Sequence, residues 1–158
     1  MRVGIGYDIH ALKRGRRLVL GGVEIPHGKG LAGHSDGDAL WHAVLDAVLG
    51  AMGEGDIGEL FPDTDPSHRG VAGAVFAREV ATRLKRRRLR VAHVDSVVIA
   101  EAPKLGAFKR RIRESLAKGL GLPVSRVGMK AKTNEGFGDV GRKKAIACHA
   151  VAVLVPAR

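Results

Sequence analysis

Asp8 and His10 stand two residues apart at the end of the apolar run Val3 to Ile9. On an extended strand, residues i and i+2 point to the same face, so this pair aims a carboxylate and an imidazole into one space. A second imidazole, His42, lies in SDGDALWHAVLDAVLGAMG, whose apolar residues recur at helical spacing. Ser35, followed three residues on by Asp38, gives that segment a capping-box opening. One Asp and two His with no Cys suit a borderline divalent cation with a fourth position left open, the way catalytic zinc is held. The same residues have plainer readings, because an Asp-x-His strand pair and a lone helical His both arise by chance. Asp46, one turn beyond His42, reads equally as an acceptor that orients the imidazole and as a helix-surface carboxylate.

The elements that must position these groups follow from the pattern of the chain. Residues 2–10 alternate well enough for a buried strand, and RRLVLGGVEIP reads as two short strands joined at Gly21 and Gly22. The glycine-rich stretch from His27 to Asp38 reads as a mobile surface loop that leads into the His42 helix, which Gly53 ends. GEGDIGELFPDTDPSHRG keeps no period and reads as a long acidic loop. A helix over about Arg69 to Arg88 carries Val71, Val75, Phe76, Val80 and Leu84 on one face. A β-branched strand, RVAHVDSVVIA, then ends near Ala100. The next helix has Leu105, Phe108, Ile112 and Leu116 as its stripe and stops near Gly119 or Gly121. VGMKAKT is a strand with Lys130 and Lys132 on one face, and TNEGFGDVGRKK is a loop. The apolar strand AIACHAVAVLV must be covered on both faces or lie at the centre of an oligomer. The whole reads as one α/β (α+β) domain over residues 1–158, a mixed sheet with helices packed on one face.

Composition narrows the function. With 45% hydrophobic and 27% charged residues in 158, the chain is globular, and no run approaches the roughly 20 apolar residues of a membrane span. The start of the chain has no signal-peptide pattern, so a cytoplasmic location is expected. Cys148, the single cysteine, reads as a core residue. A net charge of +11 favours anionic partners. The basic groups at Arg83 to Arg90 and Lys109 to Arg113 read as solvated, dipole-matched helix faces and ends. With 4% aromatic residues and no base-stacking motif, neither nucleic acid nor membrane is the expected partner. A metal-dependent hydrolase with Asp36, Asp38 or Asp46 as general base, and a basic RNA- or membrane-binding module, remain as alternatives.

The order of motifs is more specific than any one of them. GYDIH, AGHSDGDALWHAVLDAVLGAMGEGDIGELFPDTD, IAEAPKL and TNEGFGDVGR together resemble the 2-C-methyl-D-erythritol 2,4-cyclodiphosphate synthase family over essentially the full chain. The resemblance implies a homotrimer with sheets facing a central axis and active sites shared between subunits. It also implies a lyase of non-mevalonate isoprenoid biosynthesis. In that reaction the 2-phosphate of 4-diphosphocytidyl-2-C-methyl-D-erythritol 2-phosphate attacks the β-phosphorus, closes a cyclic diphosphate and expels CMP. By the same resemblance Asp8, His10 and His42 hold Zn2+, and His34, Ser35 and Asp36 form the substrate-positioning loop. Asp56, Ile57, Gly58, Phe61, Asp63 and Asp65 contact polyol and ribose, while Ala100 to Leu105, including Pro103 and Lys104, form the cytidine pocket. Lys132, Thr133 and Glu135 complete the phosphate end, with Glu135 a ligand for a second ion, Mg2+ or Mn2+. His34 and Thr133 are the implied catalytic hydrogen-bonding groups, and Arg142 lines the axial cavity. Lys132, Asp139 and His149 depart from the residue types usual in the family, which touches the axial cavity and leaves the zinc triad intact.

Overall fold

The computed structural model describes residues 1–33, 37–62 and 73–157, the side chain of residue 74 excepted. Its centre is α1 (Ala39–Met52), in which His42, Asp46 and Gly50 are the only residues not buried. A helix apolar on every other side has to be enclosed, and its one accessible stripe, spaced four residues apart, looks out along a single line. α1 lies on the strand β1 (Arg2–Arg14). Gly4 and Gly6 make this contact possible, because a Cβ on either would come within about 2 Å of the carbonyl oxygens of Ala47 and Ala43.

The remaining strands are β2 (Leu18–Leu20), β3 (Val23–Ile25), β4 (Lys29–Leu31), β5 (Leu89–Ile99), β6 (Val127–Lys132) and β7 (Ala145–Pro156). Five of them form one mixed sheet in the order β4-β1-β7-β5-β6, with β5 and β6 parallel and the other pairs antiparallel. β2 and β3 form the hairpin expected around Gly21 and Gly22. The helices α3 (Gly73–Arg86) and α4 (Lys109–Leu120) join α1 on one face. Phe76, Val80, Leu84, Ile112 and Leu116 are buried there, and Cys148 is a buried core thiol whose pKa burial pushes up.

Several expectations need correction. α1 begins at Ala39 with Asp38 as its N-cap, one turn later than a Ser35 cap requires. Asp38 is wholly buried because its carboxylate accepts hydrogen bonds from Trp41 N, Gly21 N and Gly22 N, at 3.1, 2.8 and 2.6 Å. This ties the β2–β3 hairpin to the start of the helix, a long-range duty that a local capping pattern does not contain. The stretch from His27 is not all surface loop, since β4 pairs with β1 and buries Leu31. The acidic segment contains a four-residue helix, α2 (Ile57–Leu60), capped by Asp56. Val75 is 42% exposed and leaves the α3 stripe; Val71 lies outside the described residues. Lys109 to Arg113 lie at a helix end with Arg110 and Arg111 exposed, as expected, but at the N-terminal end of α4, so only the Arg83 group, in the last turn of α3, matches a helix dipole.

The alternation in β1 also runs opposite to a buried strand. Gly4, Gly6, Asp8 and His10 face the helices, and Val3, Ile5, Tyr7 and Ile9 form an exposed apolar row on the other side, 59%, 72%, 49% and 45% accessible. β7 is buried on the helix side from Ile146 to Leu154. On the other side it is covered only at its start, where Ala145, Ala147 and Ile99 meet Val140 of α5 (Gly138–Gly141).

Candidate active site

Asp8, His10 and His42 converge. Asp8 Oδ2 lies 2.8 Å from His10 Nε2 and 2.9 Å from His42 Nδ1, and the two ring nitrogens are 3.3 Å apart. Asp8 Oδ1 accepts from Ile9 N at 2.8 Å, which leaves Oδ2 turned toward the imidazoles. His10 Nδ1 donates to the carbonyl of Ala32. Only an N–H can face that carbonyl, so a neutral His10 presents the lone pair of Nε2 to Asp8 and His42. Three electron-rich atoms that meet so closely require positive charge among them, supplied by protons or by a metal ion.

The direction of the pKa shifts expresses the same demand. Burial raises the Asp8 carboxyl, but hydrogen bonds and charge from His10 and His42 outweigh it and hold the group well below the usual carboxylate range. His10 is raised, chiefly by its hydrogen bond to Asp8 against the opposing effect of burial, with Ala32 and the charge of Asp38 helping. A divalent ion fits. With metal–donor bonds of about 2.0 to 2.1 Å, tetrahedral donors stand roughly 3.3 Å apart, and this triangle needs little spreading to accept one. The three residues could hold a metal ion, and they are the only such cluster of His, Cys, Asp and Glu among the described residues.

Asp46, next along the accessible stripe of α1, accepts from Ile57 N at 2.8 Å. It therefore anchors α2 beside the cluster. Burial raises its pKa, with the Asp56 and Asp8 charges adding to it and the Ile57 bond opposing. Asp56 Oδ1 caps α2 through Glu59 N at 2.9 Å, and the ring of Phe61 packs on Phe76 with centroids 4.4 Å apart. Asp56, Ile57, Gly58 and Phe61 thus form one fixed turn next to the triad. His34, Ser35, Asp36, Asp63 and Asp65 lie outside the described residues.

A second group gathers where the parallel strands β5 and β6 end. Ala100 N donates to Lys132 O at 2.9 Å, and Asn134 N donates to Glu101 Oε2 at 3.2 Å. These bonds clamp the Ala100 to Leu105 segment, whose Ala102–Pro103 peptide is cis, to the Lys132 to Glu135 turn. Ala100 and Leu105 are buried while Lys104 and Lys132 are exposed. Thr133 Oγ1 hydrogen-bonds Glu135 Oε1, and Glu135 has a left-handed backbone, φ 49°. Arg142 is exposed just after α5. The two groups do not meet within one chain, because Asp8 and Ala131 occupy one cross-strand row three strand spacings apart, roughly 14 Å. The Ala32 carbonyl and Glu101 were not foreseen. The first is a backbone group with no sequence signal, and the second is plain in IAEAPKL but finds its partner only through the fold.

Against this geometry, the comparison with known sequences decides the family. A profile of the YgbB family matches residues 1–155. The chain belongs to the YgbB family. A 2-C-methyl-D-erythritol 2,4-cyclodiphosphate synthase of Gloeobacter violaceus is 53% identical over 154 residues, covering 98% of this chain and 94% of the relative. A solved 2-C-methyl-D-erythritol-2,4-cyclodiphosphate synthase in a CDP-bound form superposes with a TM-score of 0.90 at 41% identity, over 98% of this chain and all of that one. The bifunctional IspDF protein of Campylobacter jejuni gives a TM-score of 0.93 at 37% identity. There this YgbB chain matches over 97% of its own length and spans 42% of the larger protein. Among the described residues no helix is long and apolar enough to cross a membrane.

Proposed function

We propose that this chain converts 4-diphosphocytidyl-2-C-methyl-D-erythritol 2-phosphate to 2-C-methyl-D-erythritol 2,4-cyclodiphosphate and CMP, as a cytoplasmic lyase of non-mevalonate isoprenoid biosynthesis. The observation that carries this reading is the Asp8, His10 and His42 triangle in a chain of this family. The CDP bound to a structural neighbour supports a cytidine-diphosphate-linked substrate.

A 2-phosphate oxygen bonds to the β-phosphorus, the bond from that phosphorus to the bridging oxygen breaks, and CMP leaves with the electron pair. The nucleophile is ionised at neutral pH, so no protein nucleophile is needed. Repulsion between phosphates and the ordering of the ring oppose reaction, and both are met by charge neutralisation and alignment. Asp8, His10 and His42 would hold a divalent ion, zinc in this reading, which would supply Lewis acidity toward the phosphates. The chain's own groups do the rest. Ala32 fixes the His10 tautomer, and Asp46 and Asp56 hold the Ile57 turn against the polyol. Lys132 and Thr133 donate to phosphate oxygens, Lys104 and the Ala100 to Leu105 backbone hold the cytidine end, and Glu135 would hold a second ion, magnesium or manganese. His34, Ser35 and Asp36, with Asp63 and Asp65, complete the contacts, and Arg142 lines the axis.

The reading includes a single domain over residues 1–158 and a homotrimer. The exposed row Val3, Ile5, Tyr7 and Ile9, continued by Val151, gives a second copy an apolar face to cover, and a single chain keeps the metal cluster apart from the nucleotide turn. Phosphorus NMR of the product tests the reaction. A cyclic diphosphate and CMP in equal amounts are expected, whereas linear methylerythritol phosphates with CMP would mean a hydrolase that uses water at the open position.

A further inference from the structure

Away from the triad, the end of β1, the start of β4 and the turn before β7 enclose a cleft of about 440 Å³ lined by Arg14, His27, Gly28, Lys29, Ala102 and Lys143. Arg14 is four residues beyond His10, roughly 13 Å along the strand. Three local features of this cleft oppose stability. Arg14 and Lys29 are direct cross-strand partners, and like charges in that relation repel. Lys143, from a third segment, adds another cation and does so in the left-handed region, φ 60°, where a side chain is strained. Among the described residues no carboxylate lines the cleft, and none forms an ion pair with Arg14, Lys29 or Lys143. Asp139, the acidic residue closest in sequence to Lys143, pairs with Lys144 at 3.7 Å.

Unpaired like charge gathered from three separate segments into one concavity, with a strained backbone presenting one of the three, is the pattern of a site whose missing member is an anion. We propose that this cleft binds the phosphate or diphosphate group of a small molecule. Its volume suits a compact phosphorylated metabolite, and the flexible cations suit phosphate oxygens of varied geometry. Arg14 supplies a planar two-pronged donor, and Lys29 and Lys143 supply point charges. The backbone at Gly28 is open, since a Cβ added there would meet nothing within 4 Å, and this leaves the ligand room. Binding of this kind does not depend on the proposed cyclisation. Ala102 forms one wall and belongs to the segment that ends in Lys104, so an occupant would touch the turn assigned to cytidine.

Calorimetric titration of the metal-loaded protein with inorganic pyrophosphate tests the site, with zinc content measured before and after to exclude metal stripping. Arg14→Gln and Lys143→Gln remove charge from the cleft, and Lys132→Gln removes it from the proposed active site. In the parent protein a binding event is expected that weakens about tenfold in each cleft variant and persists in Lys132→Gln. Isotherms of Arg14→Gln and Lys143→Gln that superimpose on the parent, or no binding by the parent at all, would overturn the proposal. A failure of cyclisation in the product assay, by contrast, bears only on the active site.

Discussion

At the scale of single residues, the meeting of Asp8, His10 and His42 makes the stability of the metal-free protein depend on pH in a defined way. The raised His10 contributes stability in full below its ordinary value of 6.5 and loses it as pH climbs through the higher folded value. The lowered Asp8 contributes above its ordinary 3.8 and loses it as pH falls toward the folded value. Both contributions are therefore present from about pH 4 to 6.5. Thermal unfolding of the metal-free protein should show this part of its stability falling as pH passes from 6.5 upward, and added zinc should restore it there, since the ion takes the place of the proton on His10 Nε2. A metal-free protein whose melting temperature gains as much from zinc at pH 5 as at pH 8 would contradict the shared role of that nitrogen. Much of this was legible in the sequence: Asp-x-His on a strand and His on an apolar helix named the three groups. What no residue type announced was Ala32, because a backbone carbonyl that fixes a tautomer is visible only once the chain is folded.

At the scale of elements, the triad exists because α1 lies unusually close to β1. Ala43 and Ala47 on the helix meet Gly4 and Gly6 on the strand, so the approach is set by backbone atoms with no flexible side chain to yield. Gly6→Ala places a methyl about 2 Å from the Ala43 carbonyl and must lift the helix that carries His42. A loss of about 2 to 3 kcal/mol in chemical denaturation is expected, with weaker metal binding in a direct titration; unchanged values of both would show that the contact does not position the site. The sequence marked the helix, its glycine stop at Gly53 and the hairpin at Gly21 and Gly22, since each rests on local chemistry. It misplaced the helix start because Asp38 is selected by amides 16 and 17 residues away. β4 escaped notice because Leu31 is the one buried large apolar side chain in its stretch, and α2 because four residues held by Asp46 and Asp56 have no period to detect. The alternation of β1 was plain and read as that of a buried strand, but its apolar side is exposed and its glycine side packs on α1.

At the scale of the whole molecule, the proposed trimer would account for both the open face of the sheet and the separation of the two groups. If a metal half from one copy works with a nucleotide half from the next, two inactive proteins can repair each other. His42→Ala disables one half and Thr133→Ala the other. Co-refolding them in equal amounts should recover about a quarter of the parent activity, the fraction of interfaces in a randomly mixed ring that join two intact halves. No recovery from well-mixed oligomers would place both halves in one chain. The central claim remains the cation at the triad, and metal analysis paired with CMP release tests it most directly. The parent protein is expected to hold one firmly bound zinc per chain and to lose turnover with its removal. His42→Ala is expected to stay folded, lose that zinc and release almost no CMP. Full zinc occupancy with normal CMP release from His42→Ala would contradict the account.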